Sequence, residues 1–214
     1  MTSREQILTS IRSALGRTAG QSVPPLPQPV LRVPYSDHKA LVDTFVQSLE
    51  KLAGKAIVVR AAADVVPALA KILEGKRLVA SNASYLENCG IRALPNLQTG
   101  FTDPAAWREA CATADIGITS VDYALASTGT FVMLASQQEA RLESLLPPVH
   151  IAVFPRSRIV ANLDALLGLL PLPAEQTSSM VLITGPSRTA DIEQILIRGV
   201  HGPGEVYAVI VEEN

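Results

Sequence analysis

An α/β domain with a mostly parallel, doubly wound sheet and an N-terminal helical arm is predicted by three features of the sequence. Short runs of consecutive Val, Ile and Leu, as in residues 55–60 and 206–211, recur along the chain, as strands buried on both faces require. They alternate with stretches in which apolar residues return every three or four positions, the mark of amphipathic helices. Aromatics are only 4% of the chain against 48% hydrophobics overall, which suits an aliphatic interior. At 214 residues the chain is long enough for one such domain with an appendage.

Residues 1–35 read as an amphipathic helix on a stiff tether, and residues 36–214 as the α/β domain. Ser3-Arg-Glu-Gln6 fits a capping box in which Gln6 reaches back to the Ser3 amide. Ile7, Leu8, Ile11 and Leu15 then share one helical face, and Gly16 can end the helix. The prolines at 24, 25, 27, 29 and 34 fix φ and remove amide donors, giving an extended linker. An apolar face so tethered must dock on its own domain or on a second chain, so a homo-oligomer formed through the arm is one expectation.

From Ser36 the pattern becomes α/β. Leu41, Phe45, Leu49 and Leu52 mark a helix, Lys55–Arg60 a buried strand, Val65–Leu73 a second helix and Arg77–Ser81 a second strand. Asp103 before Pro104 is an N-cap followed by proline at the first helical position, which puts Trp107 and Cys111 on one face. Further strands are expected at Ala114–Thr119, Gly129–Leu134, His150–Phe154, Met180–Thr184 and Val206–Val211. Helices are expected between them at about Gln138–Leu146, Asn162–Leu170 and Thr189–Arg198. Ile116–Thr119 and Phe131–Leu134 leave no room for a crossover helix, so those two are expected to pair antiparallel.

Several function classes find no support. The net charge of −2, without a block of like charge, gives no nucleic-acid footprint and no polybasic membrane patch. No signal-peptide core and no apolar run of roughly 18–20 residues is present, so a cytoplasmic protein without a membrane span is expected. Cys89 and Cys111 lack CxxC spacing, and His38, His150 and His201 lack HExxH spacing. No metal site and no self-contained iron–sulfur cluster is therefore expected on this chain. GxGxxG, GxxxxGK[ST] and GxSxG are all missing, so the chain shows no means of holding a redox cofactor of its own.

Ligands of open parallel sheets sit beyond the carboxyl ends of the strands. Three polar segments fall at such ends or at sharp turns: Thr119–Thr130, Pro155–Arg158 and Gly185–Pro203. In the first, Ser127, Thr128, Gly129 and Thr130 form either an anion-binding nest or an ordinary hydroxyl-rich turn. In the last, Thr189 suits an N-cap and Asp191 and Glu193 suit the first helical turn, with Arg188 able to pair with either carboxylate. Those carboxylates favour a hydroxylated ligand or a cation over bare phosphate. His201, between Gly199 and Gly202, is either an imidazole poised for proton transfer or a structural one bonded to backbone.

ADIGITSVDYALASTGTFVML (Ala114–Leu134), SLLPPVHIAV (Ser144–Val153) and GPSRTADIEQILIRGVHGP (Gly185–Pro203) together resemble the lactate-utilisation protein C family, also called the LUD-domain family. The opening helix Arg4–Arg17 fits it too, whereas Leu52–Pro104 carries little signature. The resemblance implies a fold like that of the glucosamine-phosphate deaminase, ribose-phosphate isomerase and CoA-transferase superfamily. It also implies a part in oxidising L-lactate to pyruvate beside partner proteins that carry iron–sulfur clusters. Carried over by motif, the ligand-binding candidates are Asp122, Ser127, Thr128, Gly129, Thr130, Ser187, Arg188 and Thr189, with His201 and Asp191 as catalytic candidates.

Two classes of function follow. The first is a non-redox accessory component of a lactate-oxidising system, acting through its partners and a small carboxylate ligand. The second is a stand-alone isomerase- or transferase-like enzyme for a phosphorylated or acyl small molecule. CoA transfer would call for a glutamate nucleophile, for which Glu139 and Glu193 are nearest, both read as helical and solvated.

Overall fold

The computed structural model describes residues 2–18, 20–22, 25, 37–189 and 197–212. Contacts divide the chain into two units, Met1–Val30 and Leu31–Asn214. In the first, α1 (Ser3–Ala14) is capped by Thr2, not Ser3. The Thr2 amide donates to Glu5 Oε2 at 2.7 Å and the Glu5 amide to Thr2 Oγ1 at 3.3 Å. The capping box therefore lies one residue earlier than the Ser3–Gln6 spacing predicts. Glu5 brings a charge to the positive end of the helix, which Gln6 cannot. Gly16, at φ +62°, ends the helix as expected. The amides of Gly16 and Arg17 donate back to the carbonyls of Ser13 and Arg12.

The larger unit begins with α2 (His38–Lys51), capped by Asp37, and β1 (Lys55–Val59). There follow α3 (Val65–Leu73), β2 (Leu78–Ala80), α4 (Ser84–Asn88), β3 (Leu97–Gln98) and α5 (Pro104–Thr113). The Asp103 side chain accepts the Ala106 amide at 2.8 Å with Pro104 at the first position, as the sequence predicts. Asp103→Ala should lower stability by about 1 kcal/mol. The check is a lower urea midpoint at unchanged slope.

Next come β4 (Ile116–Thr119), β5 (Tyr123–Leu125), β6 (Thr130–Leu134), α6 (Leu142–Leu145), β7 (Val149–Pro155), β8 (Ile159–Val160) and α7 (Leu163–Leu169). The chain closes with β9 (Met180–Ile183), β10 (Arg188–Thr189), β11 (Ile197–Arg198) and β12 (Glu205–Val211). Six strands make the main sheet, in the order β1-β12-β7-β4-β2-β3 and parallel throughout. Helices cover both faces, which is why its strands read as unbroken apolar runs. On one face α3 and α4 bring Val65, Leu69 and Leu86 against Ile116, Ile118 and Ile151. On the other, α2 brings Val42, Phe45 and Leu49 against Ala152, Phe154 and Ile210, and α5 sets Cys111 against Val79.

A second sheet, β8-β5-β6-β9, corrects two expectations. β4 does not pair with β6. It lies inside the main sheet between β7 and β2, and the antiparallel partner of β6 is β5, too short to read as a strand. Met180–Ile183 likewise leaves the parallel sheet and runs antiparallel to β6. The helix expected over about Gln138–Leu146 shrinks to the single turn of α6, because residues 136–139 form a loop. The helix expected over Thr189–Arg198 is not continuous. Thr189 and Ile197 are antiparallel strand partners, a pairing their separation along an eight-residue helix, about 12 Å, would forbid. Residues 190–196 lie outside the described residues. Among the described residues no helix is long and apolar enough to cross a membrane.

Candidate functional site

The order of the strands places one crevice. β2 and β4 are neighbours, yet the chain leaves β2 toward β3 on one side and leaves β4 toward β7 on the other. At such a switch point the two exits diverge and open a gap beyond the carboxyl ends of the strands. A cavity of about 150 Å³ occupies it. Its walls are Ser84 and Tyr85 after β2, Ser120 and Asp122 after β4, Ser136 and Glu139 from the loop before α6, and Arg158 after β7. That volume equals about five waters, enough for a small organic acid. A larger hollow of about 420 Å³ lies at the amino ends of β2 and β3 and is mostly apolar, the wrong end of the sheet.

Local hydrogen bonds fix each wall. Ser136 Oγ accepts the amides of Gln138 and Glu139 at 3.2 and 3.0 Å, and the Asn82 amide donates to the Gln138 carbonyl at 2.8 Å. This ties the 136–139 loop to the exit of β2 and turns Glu139 inward, where it is only 8% exposed. Glu139 Oε1 accepts the Ser120 amide at 2.9 Å, while Oε2 has no hydrogen-bond partner among the described residues. Arg158 Nη1 donates to Ser120 Oγ at 2.8 Å and to the Val121 carbonyl, and its guanidinium lies 5.4 Å from the Tyr85 ring centre. Asp122 Oδ2 accepts the Leu134 amide at 2.7 Å, which ties the exit of β4 to β6.

Burial sets the charge state. Loss of water pushes the Glu139 carboxyl from 4.5 up to about 8, and the nearby Glu143 and Asp122 push the same way. The Ser81 hydroxyl and the Ser120 amide offset part of the rise. Ser81 Oγ lies beside the carboxyl without a hydrogen bond of ordinary geometry. Glu143 is wholly buried, accepts Trp107 Nε1–H at 2.8 Å and is pushed to about 7. His150 is also wholly buried, with Nε2 2.8 Å from Thr119 Oγ1, and burial drops it from 6.5 to about 3.

These shifts give a signed pH dependence. Carboxyls whose folded pKa is raised contribute stability that is complete at low pH and lost as pH rises through about 7 to 8. His150 does the opposite, its contribution being present above 6.5 and lost as pH falls toward 3. From pH 6.5 to 8, therefore, the carboxyls alone of these three groups act. Stability should fall across that window, and Glu139→Gln should flatten the fall, measured as urea midpoints at both ends. An unchanged slope would contradict burial as the cause of the Glu139 shift.

Of the sequence candidates, Asp122 lines this cavity. Ser127, Thr128 and Thr130 line another groove, of about 390 Å³, together with Thr184 and Asn162. There Thr128, Thr130 and Thr184 form a chain of hydroxyl contacts at 2.7 and 2.9 Å. Gly129 faces away from that groove. A Cβ on it would lie 2.4 Å from the Leu49 amide nitrogen, so glycine serves the approach of α2. Arg188 donates to the Leu52 carbonyl just past the end of α2, and Gly185 packs on Leu52. A cation there satisfies a terminal carbonyl and the helix dipole. The two polar segments thus meet at the end of α2, while none of Ser187, Arg188 and Thr189 lines the Thr128 groove. The Ser187 amide donates to the Pro203 carbonyl, Thr189 lies in β10 and His201 is exposed. Asp191 and Glu193 lie outside the described residues.

Glu139 and Arg158 line the cavity although neither is among the ligand-binding candidates carried over by motif; the sequence offers Glu139 only as a nucleophile candidate and Arg158 only within a polar segment. Glu139 is not on a solvated helix face, because the 136–139 loop replaces the expected helix. Arg158 stands in the polar segment Pro155–Arg158, and its place just after a buried strand was the signal available.

The LUD domain family model matches residues 42–211. The chain belongs to the LUD-domain family. The lactate utilization protein C of Halalkalibacterium halodurans is 43% identical over 105 residues, 47% of this chain and 46% of that protein. That of Exiguobacterium sp. is 40% identical over 116 residues, 52% of this chain and 50% of that protein. In these matches the chain spans about half the length of its curated relatives. The Bacillus velezensis lactate utilization protein C aligns over 100% of this chain and 98% of its own length, at 27% identity. A crystal structure of a DUF162 family protein from Deinococcus radiodurans shares the fold, with a TM-score of 0.60 over 83% of this chain and 99% of that one, at 18% identity.

Proposed function

We propose that this LUD-domain chain is a non-redox accessory component of an L-lactate-oxidising system, holding a small carboxylate while iron–sulfur partner proteins take the electrons. One observation carries the reading: the switch-point cavity combines a guanidinium, seryl hydroxyls and a buried carboxyl in a space fit for a small acid. Arg158 supplies the charge and is held in place by Ser120 and the Val121 carbonyl. The names of the relatives supply the lactate context. Cys89 and Cys111 pack in separate core clusters, so neither completes a shared ligand set with the other.

The test is to purify the tagged chain from cells grown on lactate. It should bring down proteins with iron–sulfur absorption, and lactate oxidation should reside in that assembly. Purified alone, the chain should be colourless and inactive toward lactate. A stoichiometric chromophore retained by the chain alone would sink the accessory role. The inward-facing Glu139 favours the second reading, a stand-alone isomerase- or transferase-like enzyme, and turnover of a phosphorylated or acyl substrate by the chain alone would establish that instead. Removal of residues 1–35 should leave a folded domain by circular dichroism and alter self-association or partner binding, as an arm whose Ile7, Ile11 and Leu15 are exposed would require. An unfolded product would make the arm part of the core.

A further inference from the structure

We propose that the protein forms a two-fold dimer in which the α1 arm of each copy lies in the groove between α7 and β9 of the other. The inference goes beyond the proposed function and does not rest on the switch-point cavity. It names the surface that receives the arm.

The groove is open for a local reason. α7 turns Leu166 and Leu170 onto Leu125 of β5 and Val132 of β6, and leaves the outer strand β9 uncovered. Leu182 pairs with Val132 and so shares its face, yet it stays 43% exposed, as Leu163 at the start of α7 stays 44% exposed. Between them lies the groove of about 390 Å³, with the buried Leu125 and Thr130 as its floor. Leu163 and Asp164 stand on one side of it and Leu182 and Thr184 on the other. Apolar side chains gathered on one rim, as opposed to scattered singly, mark a surface that a partner covers.

The charge of the groove selects the occupant. Residues 159–187 contain no lysine or arginine, and they carry the acids Asp164 and Glu175. α1 is the complement. None of its residues is buried, and Ile7, Ile11 and Leu15 form an exposed stripe bordered by Arg4 and Arg12. Its acid, Glu5, is engaged in the Thr2 cap. Apolar anchors repeated at each helical turn are what a helix-in-groove contact takes.

A second copy supplies the arm. In the single chain the stripe and the rim of the groove both stay exposed. The 23 residues between α1 and α2 can span up to about 75 Å, roughly twice the width of a domain of this size. Proline-rich linkers act as semi-rigid spacers, which carry an arm outward and not back. Reciprocal exchange of arms covers both grooves at once and closes the assembly.

The experiment is analytical ultracentrifugation of the full chain, whose wild type should be a dimer at micromolar concentration. Ile11→Asp sets an acid against the acidic groove, and Leu182→Lys sets a cation against the basic arm. Each should raise the dimer dissociation constant by at least about 10-fold. An equimolar mixture of the two variants should regain dimer, because the intact arm of one then meets the intact groove of the other. A contact within one chain could not be restored by mixing. Thermal melts confirm folding, and Leu163→Lys takes the place of Leu182→Lys if that variant does not fold. A monomeric wild type, a dimer that neither substitution weakens, or a mixture that stays monomeric overturns the proposal, and none of these bears on the cavity.

Discussion

Gly117→Ala should destabilise the protein by about 3 kcal/mol or more. Gly117 sits in the middle of β4, in the interior of the main sheet, and a Cβ there would lie 1.8 Å from the Glu143 carbonyl oxygen and 2.8 Å from its carbon. The obstacle is backbone, held by α6 on one side and by the buried Trp107–Glu143 hydrogen bond on the other, so it cannot turn aside as a side chain would. Relief would need the 139–145 segment to lift off the sheet and open the cavity wall that carries Glu139. Overpacking of a rigid core costs about 1–3 kcal/mol and more where nothing yields, and this case falls at or above the upper figure. Against a total of about 5–15 kcal/mol for a domain, that is a large share. Denaturant titration followed by circular dichroism is the check, and a midpoint within error of the wild type would mean that the segment is free to move.

Arg158→Gln should weaken the binding of small carboxylates by about 10- to 100-fold while the protein stays folded. A hydrogen bond to a charged group contributes about 1.5–3 kcal/mol, so loss of the guanidinium should weaken a carboxylate by about 10- to 100-fold. Arg158 is half-buried, and its Nη1 also holds Ser120 Oγ and the Val121 carbonyl, so some stability is lost with it. Arg158→Lys separates the two effects. It keeps the charge but not the planar fork, and should recover part of the binding and little of the positioning. Calorimetry on both variants, alongside their melting temperatures, is the measurement. Wild-type affinity in Arg158→Gln would move the ligand elsewhere.

The strands that proved most legible were those buried on both faces. Val149–Pro155 and Glu205–Val211 announce themselves as apolar runs because the main sheet is covered on each side there, whereas Lys55–Val59, expected as a buried strand, lies at the sheet edge with only Val59 buried. The cap at Asp103 and the end at Gly16 are local chemistry, set within a few residues, and local chemistry is what a sequence displays. The order of the strands is not local. Nothing around Ile116–Thr119 says that it pairs with Leu78–Ala80 and Val149–Pro155 and not with the nearby Phe131–Leu134. Tyr123–Leu125 is too short, and too close to hydroxyl-rich turns, to declare itself as the strand that takes that place. The site suffered from the same limit. Its walls come from four separated stretches, and only Asp122 was singled out on motif. Glu139 looked like a surface glutamate because the turn that buries it depends on Ser136 Oγ and on the Asn82 amide, 57 residues away along the chain. Gly129 was taken as room for a ligand, and the neighbour that needs the room is α2.

The central claim is that the ligand site lies at the switch point between β2 and β4 and not in the Thr128 groove. A crystal structure of the protein soaked with L-lactate tests it most directly. The account predicts the carboxylate against the Arg158 guanidinium, inside the cavity shared with Ser120, Asp122 and Glu139. Lactate bound instead along Thr128, Thr130 and Thr184, with the switch-point cavity holding only solvent, would contradict it.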